Sequence, residues 1–233
     1  ANMEFALGGT PFSGYPCFSA PDSYADYVEG LGVDVFLTAN NHILDKAPSG
    51  ASRTLDHYGK MGVRYTGSGL DSLDFVSRNP LLVRVKGLHL AIVNFTYGTN
   101  VEYDTSYPRI FRQTDTTEVA AAMSRARDAD ADVIIVIPHW GIEYRHVHSA
   151  EQHETARMLA EMGADVIIGA HPHVVQDMEI IVCGGREVPV YYSLGNAVSN
   201  MSAPGTQLEL LARVDVVRYK NGDVKILPPE HEW

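Results

Sequence analysis

Two histidines separated by one residue, His171 and His173, follow the short apolar run Val166–Ile168. Side chains alternate along an extended chain, so these two imidazoles are expected to point to the same side, toward adjacent metal ions. Imidazole is a common metal ligand, and Pro172 between the histidines would stiffen the turn. The spacing therefore predicts a metal site, although His-x-His pairs also arise by chance and a packing role stays open.

A third histidine, His139, follows the β-branched run 133–137 and precedes Trp140. An imidazole is an unfavourable group at the end of a buried strand unless it has a polar partner. Together with the His-x-His pair, His139 is a candidate metal ligand. Taken alone, it fits a hydrogen-bonded structural histidine better.

The segment Asn40-Asn41-His42 offers a different chemistry. A carboxamide oxygen can complete the coordination sphere of a hard metal ion, and a neighbouring uncoordinated histidine can donate a proton to a leaving group. The alternative is that the two asparagines mark a turn and that His42 flanks a helix.

Strands are expected to position these side chains. The runs 33–38, 133–137 and Val166–Ile168 are typical of buried strands, and each precedes one of the polar segments. A fourth segment, Asn2-Met3-Glu4, carries a carboxamide and a carboxylate. Ligands of open α/β sheets bind at the carboxyl ends of the strands, so the four segments are expected to converge there.

The remaining pattern predicts one layered α/β domain over residues 1–233. Capping boxes at Asp115/Glu118 and Ser149/Gln152 begin two helices, and the segment 97–114 is predicted to be a loop that folds over a site. Turns at Gly184-Gly185 and Asn221-Gly222 predict antiparallel pairing in the last third. The helices are expected at about 23–32, 49–60, 115–128 and 149–162, and the other strands at Leu81–Val85, 88–94, 174–182, 188–193, 208–217 and 224–227.

The composition narrows the class of partner. A formal charge of -11 at pH 7 and a pI near 5.3 argue against a protein that binds nucleic acid through a basic surface. A small phosphorylated substrate stays compatible, because a bound cation can supply local positive charge.

Cys17 and Cys183 form neither a CxxC pair nor a disulfide framework. Neither an apolar run of membrane-spanning length nor a leader is found, so the sequence itself is expected to be soluble.

These motifs, in this order, resemble the calcineurin-like metallophosphatases, whose pattern runs through an acidic motif, Gly-Asn-His, a lone His and Gly-His-x-His. The closer resemblance is to the CapA branch, named for capsule and poly-γ-glutamate synthesis, and it covers nearly the whole sequence. The stretches that carry it are Ala1-Asn2-Met3-Glu4, Ala39-Asn40-Asn41-His42-Ile43-Leu44-Asp45, His139-Trp140-Gly141-Ile142-Glu143-Tyr144, Gln152, Gly169-Ala170-His171-Pro172-His173 and Tyr192-Ser193-Leu194-Gly195-Asn196.

The resemblance implies an α/β sandwich of two mixed β-sheets flanked by helices, and a phosphoesterase-type site with one or two manganese, iron or zinc ions. It implies that Asn41, His139 and His171 bind one metal, that His173 contributes to the second, and that Glu4 stands near the position of a bridging aspartate. Metal-bound hydroxide would attack phosphorus, and His42 would be the general acid. The implied substrate-pocket residues are Asn2, Asn40, Trp140, Glu143, Tyr144 and Asn196, while Glu143, Tyr144 and Glu179 fit a purely structural position as well.

One departure limits what the resemblance implies. The family's N-terminal strand, whose Gly-Asp motif supplies a metal-binding aspartate, is not in this sequence, so the domain is expected to be N-terminally incomplete or to have lost part of its site. Two alternatives to phosphoester hydrolysis follow: a non-catalytic component that holds an anionic polymer such as poly-γ-glutamate or docks on membrane-bound capsule proteins, and a metal-dependent γ-glutamyl amide hydrolase. In each of these roles, phosphoester hydrolysis included, the full-length protein is expected at the extracellular face, membrane-anchored or secreted, with any anchor outside this sequence.

Overall fold

The computed structural model describes residues 1–227 and 230–232. The chain forms two compact units: the first comprises Ala1–Leu81 and Asn94–Ala122, and the second comprises Leu82–Val93 and the chain from Met123 onward. The helices are α1 (Asp22–Gly30), α2 (Ala47–Met61), α3 (Ser72–Arg78), α4 (Thr116–Asp128) and α5 (Ala150–Glu161).

Most strands are short. In chain order they are β1 (Val35–Leu37), β2 (Arg64–Thr66), β3 (Ser68–Gly69), β4 (Leu81–Val85), β5 (Leu88–Thr96), β6 (Arg109–Ile110), β7 (Val133–His139), β8 (Val166–Ile168), β9 (Met178–Cys183), β10 (Arg186–Tyr191), β11 (Leu211–Arg213), β12 (Val216–Arg218), β13 (Val224–Ile226) and β14 (Glu230–Glu232).

The first unit is built on a β1–α2–β2 crossover, and β1 pairs parallel with β2. The start of the chain joins this pair, since Asn2 bridges in parallel to Leu37. Helix α2 carries a proline in its first turn and ends at Gly62 with φ 76°, a conformation that favours glycine. Its apolar face covers the strands through a cluster of buried side chains: Met3, Leu7, Phe36, Leu55, Tyr58 and Tyr65.

The second unit contains most of a six-stranded sheet in the order β4-β5-β7-β8-β10-β9. β8 pairs parallel with both β7 and β10, whereas β9 runs antiparallel to β10 and forms one edge. The inner strands are apolar, with Val136, Ile167 and Val190 fully buried. The carboxyl ends of β7 and β8 therefore lie side by side, which brings together the residues that follow them.

Several predicted elements are confirmed. Strand β8 has the predicted bounds, and the Ser149/Gln152 capping box is present with both of its hydrogen bonds. The turn at Gly184-Gly185 joins the antiparallel pair β9–β10, and β12 pairs antiparallel with β13 across Asn221-Gly222. The segment 97–114 is irregular apart from the two-residue strand β6.

Two predicted strands are wrong in part. Residues 174–177 are not in a strand, because the backbone there follows the turn of the His-x-His pair and the Gln176 side chain donates to the carbonyls of Arg145 and Val147. The predicted strand 208–217 is two strands, β11 and β12, which pair with different partners. Between them Arg213 forms an ion pair with Asp215 at 3.0 Å.

Within the described residues, no helix combines the length and the apolar character that crossing a membrane requires. Cys17 and Cys183 are both free thiols.

Candidate functional site

The segment after β1 is anchored from two sides within the first unit. The backbone N–H of Ala39 donates to Oδ1 of Asn94 at 2.9 Å. Gly67, with φ 105°, leaves room for this bond: a Cβ there would lie 2.2 Å from Asn94 Oδ1 and 2.5 Å from the Ala39 nitrogen. The start of the Asn-Asn-His segment is therefore fixed by a buried hydrogen bond and a glycine that no larger residue replaces without movement.

Asn40 links this segment to the start of the chain. Its side chain is fully buried, and its Nδ2 donates to the Met3 carbonyl at 3.0 Å and to Asn2 Oδ1 at 3.3 Å. Its Oδ1 accepts the backbone N–H of His42 at 3.1 Å, and Asn2 in turn donates to Glu4 Oε2 at 3.0 Å. Asn40 thus orients two predicted site residues, Glu4 and His42, by local hydrogen bonds.

His42 is held by a buried carboxylate. Its Nδ1 lies 2.7 Å from Asp45 Oδ2, which also accepts the backbone N–H of Phe18 at 2.8 Å. A carboxylate only accepts, so Nδ1 carries the proton and Nε2 is the nitrogen that exchanges one. The Phe18 ring packs edge-on against the imidazole at 4.6 Å. The first unit therefore presents an oriented histidine, which suits the predicted general acid.

Asn100, from the segment 97–114, contacts the same residues. Its side-chain Oδ1 accepts from Asn41 Nδ2 at 3.3 Å, its backbone N–H donates to the Asn41 carbonyl at 2.9 Å, and its amide nitrogen lies 3.4 Å from both ring nitrogens of His42. Asn100 was not among the predicted site residues, because nothing in the pattern of an irregular segment marks it. Asp45 was missed as a partner of His42, although its position three residues later was a usable signal.

In the second unit, His139 is the last residue of β7 and bridges in parallel to Ala170. The ring centroids of His139 and His171 lie 4.8 Å apart, and both side chains are buried. Trp140 donates its backbone N–H to the Ala170 carbonyl and its indole Nε1–H to the Tyr192 carbonyl, each at 3.0 Å. Trp140 is 1 % exposed, so these two hydrogen bonds fix the backbone next to His139, while its place in the substrate pocket stays a prediction.

The His-x-His pair is brought together, but not by an extended chain. The φ angles are 102° at His171 and 59° at His173, both in the left-handed region, so the predicted extended backbone at this pair is wrong. The two ring centroids are nevertheless 6.0 Å apart. Unfavourable backbone conformations of this kind cost about 1–3 kcal/mol each and concentrate at functional sites.

His173 is oriented by the predicted pocket residue Asn196. Asn196 Oδ1 lies 2.9 Å from His173 Nδ1, and Asn196 Nδ2 donates to the Thr206 carbonyl at 3.0 Å. Because only the amide nitrogen can donate to a carbonyl, the amide oxygen of Asn196 is the atom that faces His173. A histidine whose Nδ1–H is held by an acceptor presents Nε2 to a metal, so Asn196 has the position of an outer-sphere partner.

Glu143 and Tyr144 stand on the loop that follows β7. The Tyr144 backbone N–H donates to the Pro172 carbonyl at 2.8 Å, and its ring centroid is 6.4 Å from that of His173. Glu143, His171 and His173 each offer a ligand atom within 4.8 Å of the other two. Two imidazoles and a carboxylate suit manganese, iron or zinc, so the donor set fits a divalent metal.

The loop is fixed by Gln152, which the resemblance had included without a role. Gly141 has a φ of 90°, and a Cβ added at this position would lie 2.6 Å from the Gln152 side chain. Gln152 Nε2 donates to Gln176 Oε1 at 2.9 Å, and Gln176 donates to the Arg145 carbonyl at 2.8 Å. Gln152 is therefore a buried structural residue that holds the loop bearing Glu143 and Tyr144.

The predicted site residues thus form one group in each unit. The first unit holds Asn2, Glu4, Asn40, Asn41 and His42, and the second holds His139, Trp140, Glu143, Tyr144, His171, His173 and Asn196. The expectation that Asn41, His139 and His171 share one ion stays a prediction.

Comparison with known proteins adds the family and the fold. The PGA biosynthesis protein CapA of Bacillus subtilis is 27 % identical over 203 residues, which cover 86 % of this chain and 52 % of that protein. The capsule biosynthesis protein CapA of Bacillus anthracis is 29 % identical over 185 residues, which cover 77 % of this chain and 43 % of that protein. The chain therefore spans about half the length of the curated relatives it matches.

Among solved structures, the 5'-nucleotidase precursor of Thermus thermophilus superposes with a TM-score of 0.57 at 16 % identity, covering 90 % of this chain and 40 % of that one. This likeness shows the calcineurin-like metallophosphatase fold, as expected from the sequence. Residues 1–201 match the family described as bacterial capsule synthesis protein PGA_cap, and the chain belongs to that family.

Proposed function

We propose that this chain is a metal-dependent hydrolase of the phosphoesterase type that acts in the synthesis of a bacterial capsule or of poly-γ-glutamate. The family and its curated relatives support the process, and the fold supports the reaction class. The observation that carries the proposal is the cluster of His139, His171 and His173 in the second unit. His139 and His171 are buried, and His171 and the half-buried His173 lie on strained backbone, a combination that packing alone does not explain.

Within the second unit, His171 and His173 would hold a divalent ion with Glu143 as a carboxylate donor and Asn196 orienting His173. His139, whose ring centroid lies 4.8 Å from that of His171, stays a predicted ligand. When bound, such an ion activates water and neutralises the charge of a phosphoryl group. Glu4 and Asn41, in the first unit, stay predicted ligands.

Within the first unit, His42 would protonate the departing oxygen through Nε2. The buried carboxylate of Asp45 fixes the orientation of the imidazole, and the Phe18 ring packs edge-on against it. A positioned acid of this kind typically contributes about 10²–10⁴-fold to a rate.

The test assays the manganese-loaded chain with aryl phosphate monoesters and diesters. Turnover is expected for the unaltered protein, and we expect it to fall at least about 10²-fold in His171→Ala and in His42→Ala. His57→Ala, at a histidine that pairs with Asp26 on the surface of the first unit, is the matched control and should retain turnover. Absence of turnover in the metal-loaded protein, or equal turnover in all variants, would refute the phosphoesterase proposal.

The same samples distinguish a second candidate, a component that binds an anionic glutamate polymer without cleaving it. This candidate is favoured by the name of the B. subtilis relative, which places that protein in PGA biosynthesis. Metal-dependent retention of poly-γ-glutamate with no change in polymer length would support it, and shortening of the polymer would indicate amide hydrolysis instead.

A further inference from the structure

A second group of metal-binding side chains, made of different residues, lies in the second unit. His148 stands in the loop before α5, His153 in the first turns of α5, and Glu179 on the edge strand β9. Each offers one ligand atom, and the three atoms lie within 4.8 Å of one another. Three donors from three separate elements therefore meet at one point.

The ring of His148 is held from two sides. Its Nδ1 lies 2.9 Å from Asp177 Oδ2, and its backbone N–H donates to Asp177 Oδ1 at 3.1 Å. The imidazole also stacks on Tyr192, with centroids 3.9 Å apart and planes at 15°. A carboxylate on Nδ1 leaves Nε2 to coordinate, which is the carboxylate–histidine–metal arrangement of known metal sites.

His153 and Glu179 already stand almost as far apart as two ligands of one ion. His153 Nδ1 lies 2.8 Å from Glu179 Oε1, and the Tyr192 hydroxyl donates to the same carboxylate. Zinc bound at about 2.0–2.1 Å from each atom would separate them by roughly 3.3 Å in a tetrahedron. A rearrangement of about half an ångström would therefore replace the hydrogen bond by coordination.

The charge of the cluster favours a cation. Glu179 contributes one carboxylate, which accepts from the Tyr192 hydroxyl and lies 2.8 Å from His153 Nδ1. Asp177 adds a second carboxylate. In the described part of the chain, Asp177 forms an ion pair with His148, and Glu179 forms one with His153. The side chains of His153 and Glu179 are 39 % and 31 % exposed, which gives an ion a route from solvent.

We propose that His148, His153 and Glu179 form a structural zinc-type site, with Asp177 as the outer partner of His148. Bound zinc would fasten the loop 141–149 and the start of α5 to the edge of the sheet. That loop carries Glu143 and Tyr144, so the ion would stiffen their support without contacting them. The site stands independently of the proposed hydrolase activity, since it uses none of the same ligands.

The test titrates zinc into the chelator-treated full chain by calorimetry. The unaltered protein is expected to bind one more equivalent of zinc than His148→Ala/His153→Ala. The matched control, His57→Ala/His89→Ala, removes two histidines elsewhere and should keep the wild-type stoichiometry. Asp177→Asn keeps every ligand, and we expect it to weaken this site about 10–100-fold.

Hydrogen exchange supplies the structural readout. Zinc is expected to slow exchange of the backbone amides of 141–149 in the unaltered protein and not in the double variant. Equal zinc stoichiometry in the two proteins would overturn the proposal, and so would unchanged exchange in this loop. Should the double variant fail to fold, Glu179→Gln replaces it, because glutamine still accepts from Tyr192 and removes only the anionic ligand; it should weaken zinc binding at least about tenfold.

Discussion

His42 Nδ1 lies 2.7 Å from Asp45 Oδ2 inside the first unit, with the Asp45 side chain 1 % exposed. The other carboxylate oxygen, Oδ1, has no hydrogen-bond partner among the described residues. A buried, half-satisfied carboxylate is destabilising, so a protein that keeps one is expected to use it. Orienting the His42 imidazole, with Nδ1 directed at the carboxylate and Nε2 directed away from it, is a use that fits this geometry.

Asp45→Asn is expected to lower turnover by roughly 10²-fold while leaving metal content unchanged, because an amide can donate to Nδ1 and then favours the wrong tautomer of His42. Steady-state kinetics measure the turnover, and mass spectrometry measures the metal content. Asp56→Asn, on α2 in the same unit, is the control; equal rates in the two variants would contradict the role of Asp45.

Asn196→Ala is expected to weaken metal binding about 10–100-fold, because His173 loses the acceptor that fixes its ring. Titration of the chelator-treated protein with manganese measures the affinity. Asn221→Ala, in the turn between β12 and β13, removes an asparagine of the same unit and should leave the affinity unchanged. An unaltered affinity in Asn196→Ala would show that the hydrogen bond does not position a ligand.

Gly169→Ala is expected to destabilise the protein by about 1–3 kcal/mol, since the new Cβ would lie 2.1 Å from the Tyr192 carbonyl oxygen and 2.3 Å from Trp140 Nε1. Backbone and a buried indole cannot move aside cheaply. Gly30→Ala at the end of α1, where a Cβ meets nothing within 4 Å, should have a neutral or slightly stabilising effect. Chemical denaturation measures both, and a neutral Gly169→Ala would contradict the close approach of β8 and β10.

The free energy of unfolding should fall in acid partly through Asp132. The backbone N–H of His89 and the Arg218 guanidinium lower the pKa of Asp132, despite the opposing effect of burial. A lowered folded-state pKa gives stability that is present above the unfolded value of about 3.9 and lost as pH falls through the folded pKa. Asp132→Asn should therefore destabilise by about 1 kcal/mol or less at pH 7 and be neutral near pH 2. A constant difference across that range would contradict the linkage.

The sequence predicted the elements whose signals are local. β8 is a continuous apolar run, and the Ser149/Gln152 box is a short-range pattern, so both are found where expected. The same local reasoning predicted that the residues after the apolar runs 33–38, 133–137 and Val166–Ile168 carry the polar groups.

What the sequence did not predict depends on tertiary contacts. The left-handed backbone at His171 and His173 follows no strong local signal, since histidine adopts a positive φ more often than most residues but still uncommonly. Asn100 gains its importance only from the fold of an irregular segment, and the meeting of His153 with Glu179 depends on how α5 packs on β9. The spacing of these residues along the sequence predicts neither the distance from Asn100 to His42 nor the distance from His153 to Glu179.

The most direct measurement is the metal content, by mass spectrometry, of the full chain purified without chelator, compared with His139→Ala/His171→Ala. We expect bound manganese, iron or zinc in the unaltered protein and a loss of at least one equivalent per chain in the double variant, with the fold retained by circular dichroism. Equal metal content in the two proteins, or none in either after metal is supplied, would contradict the claim that these imidazoles hold a metal ion.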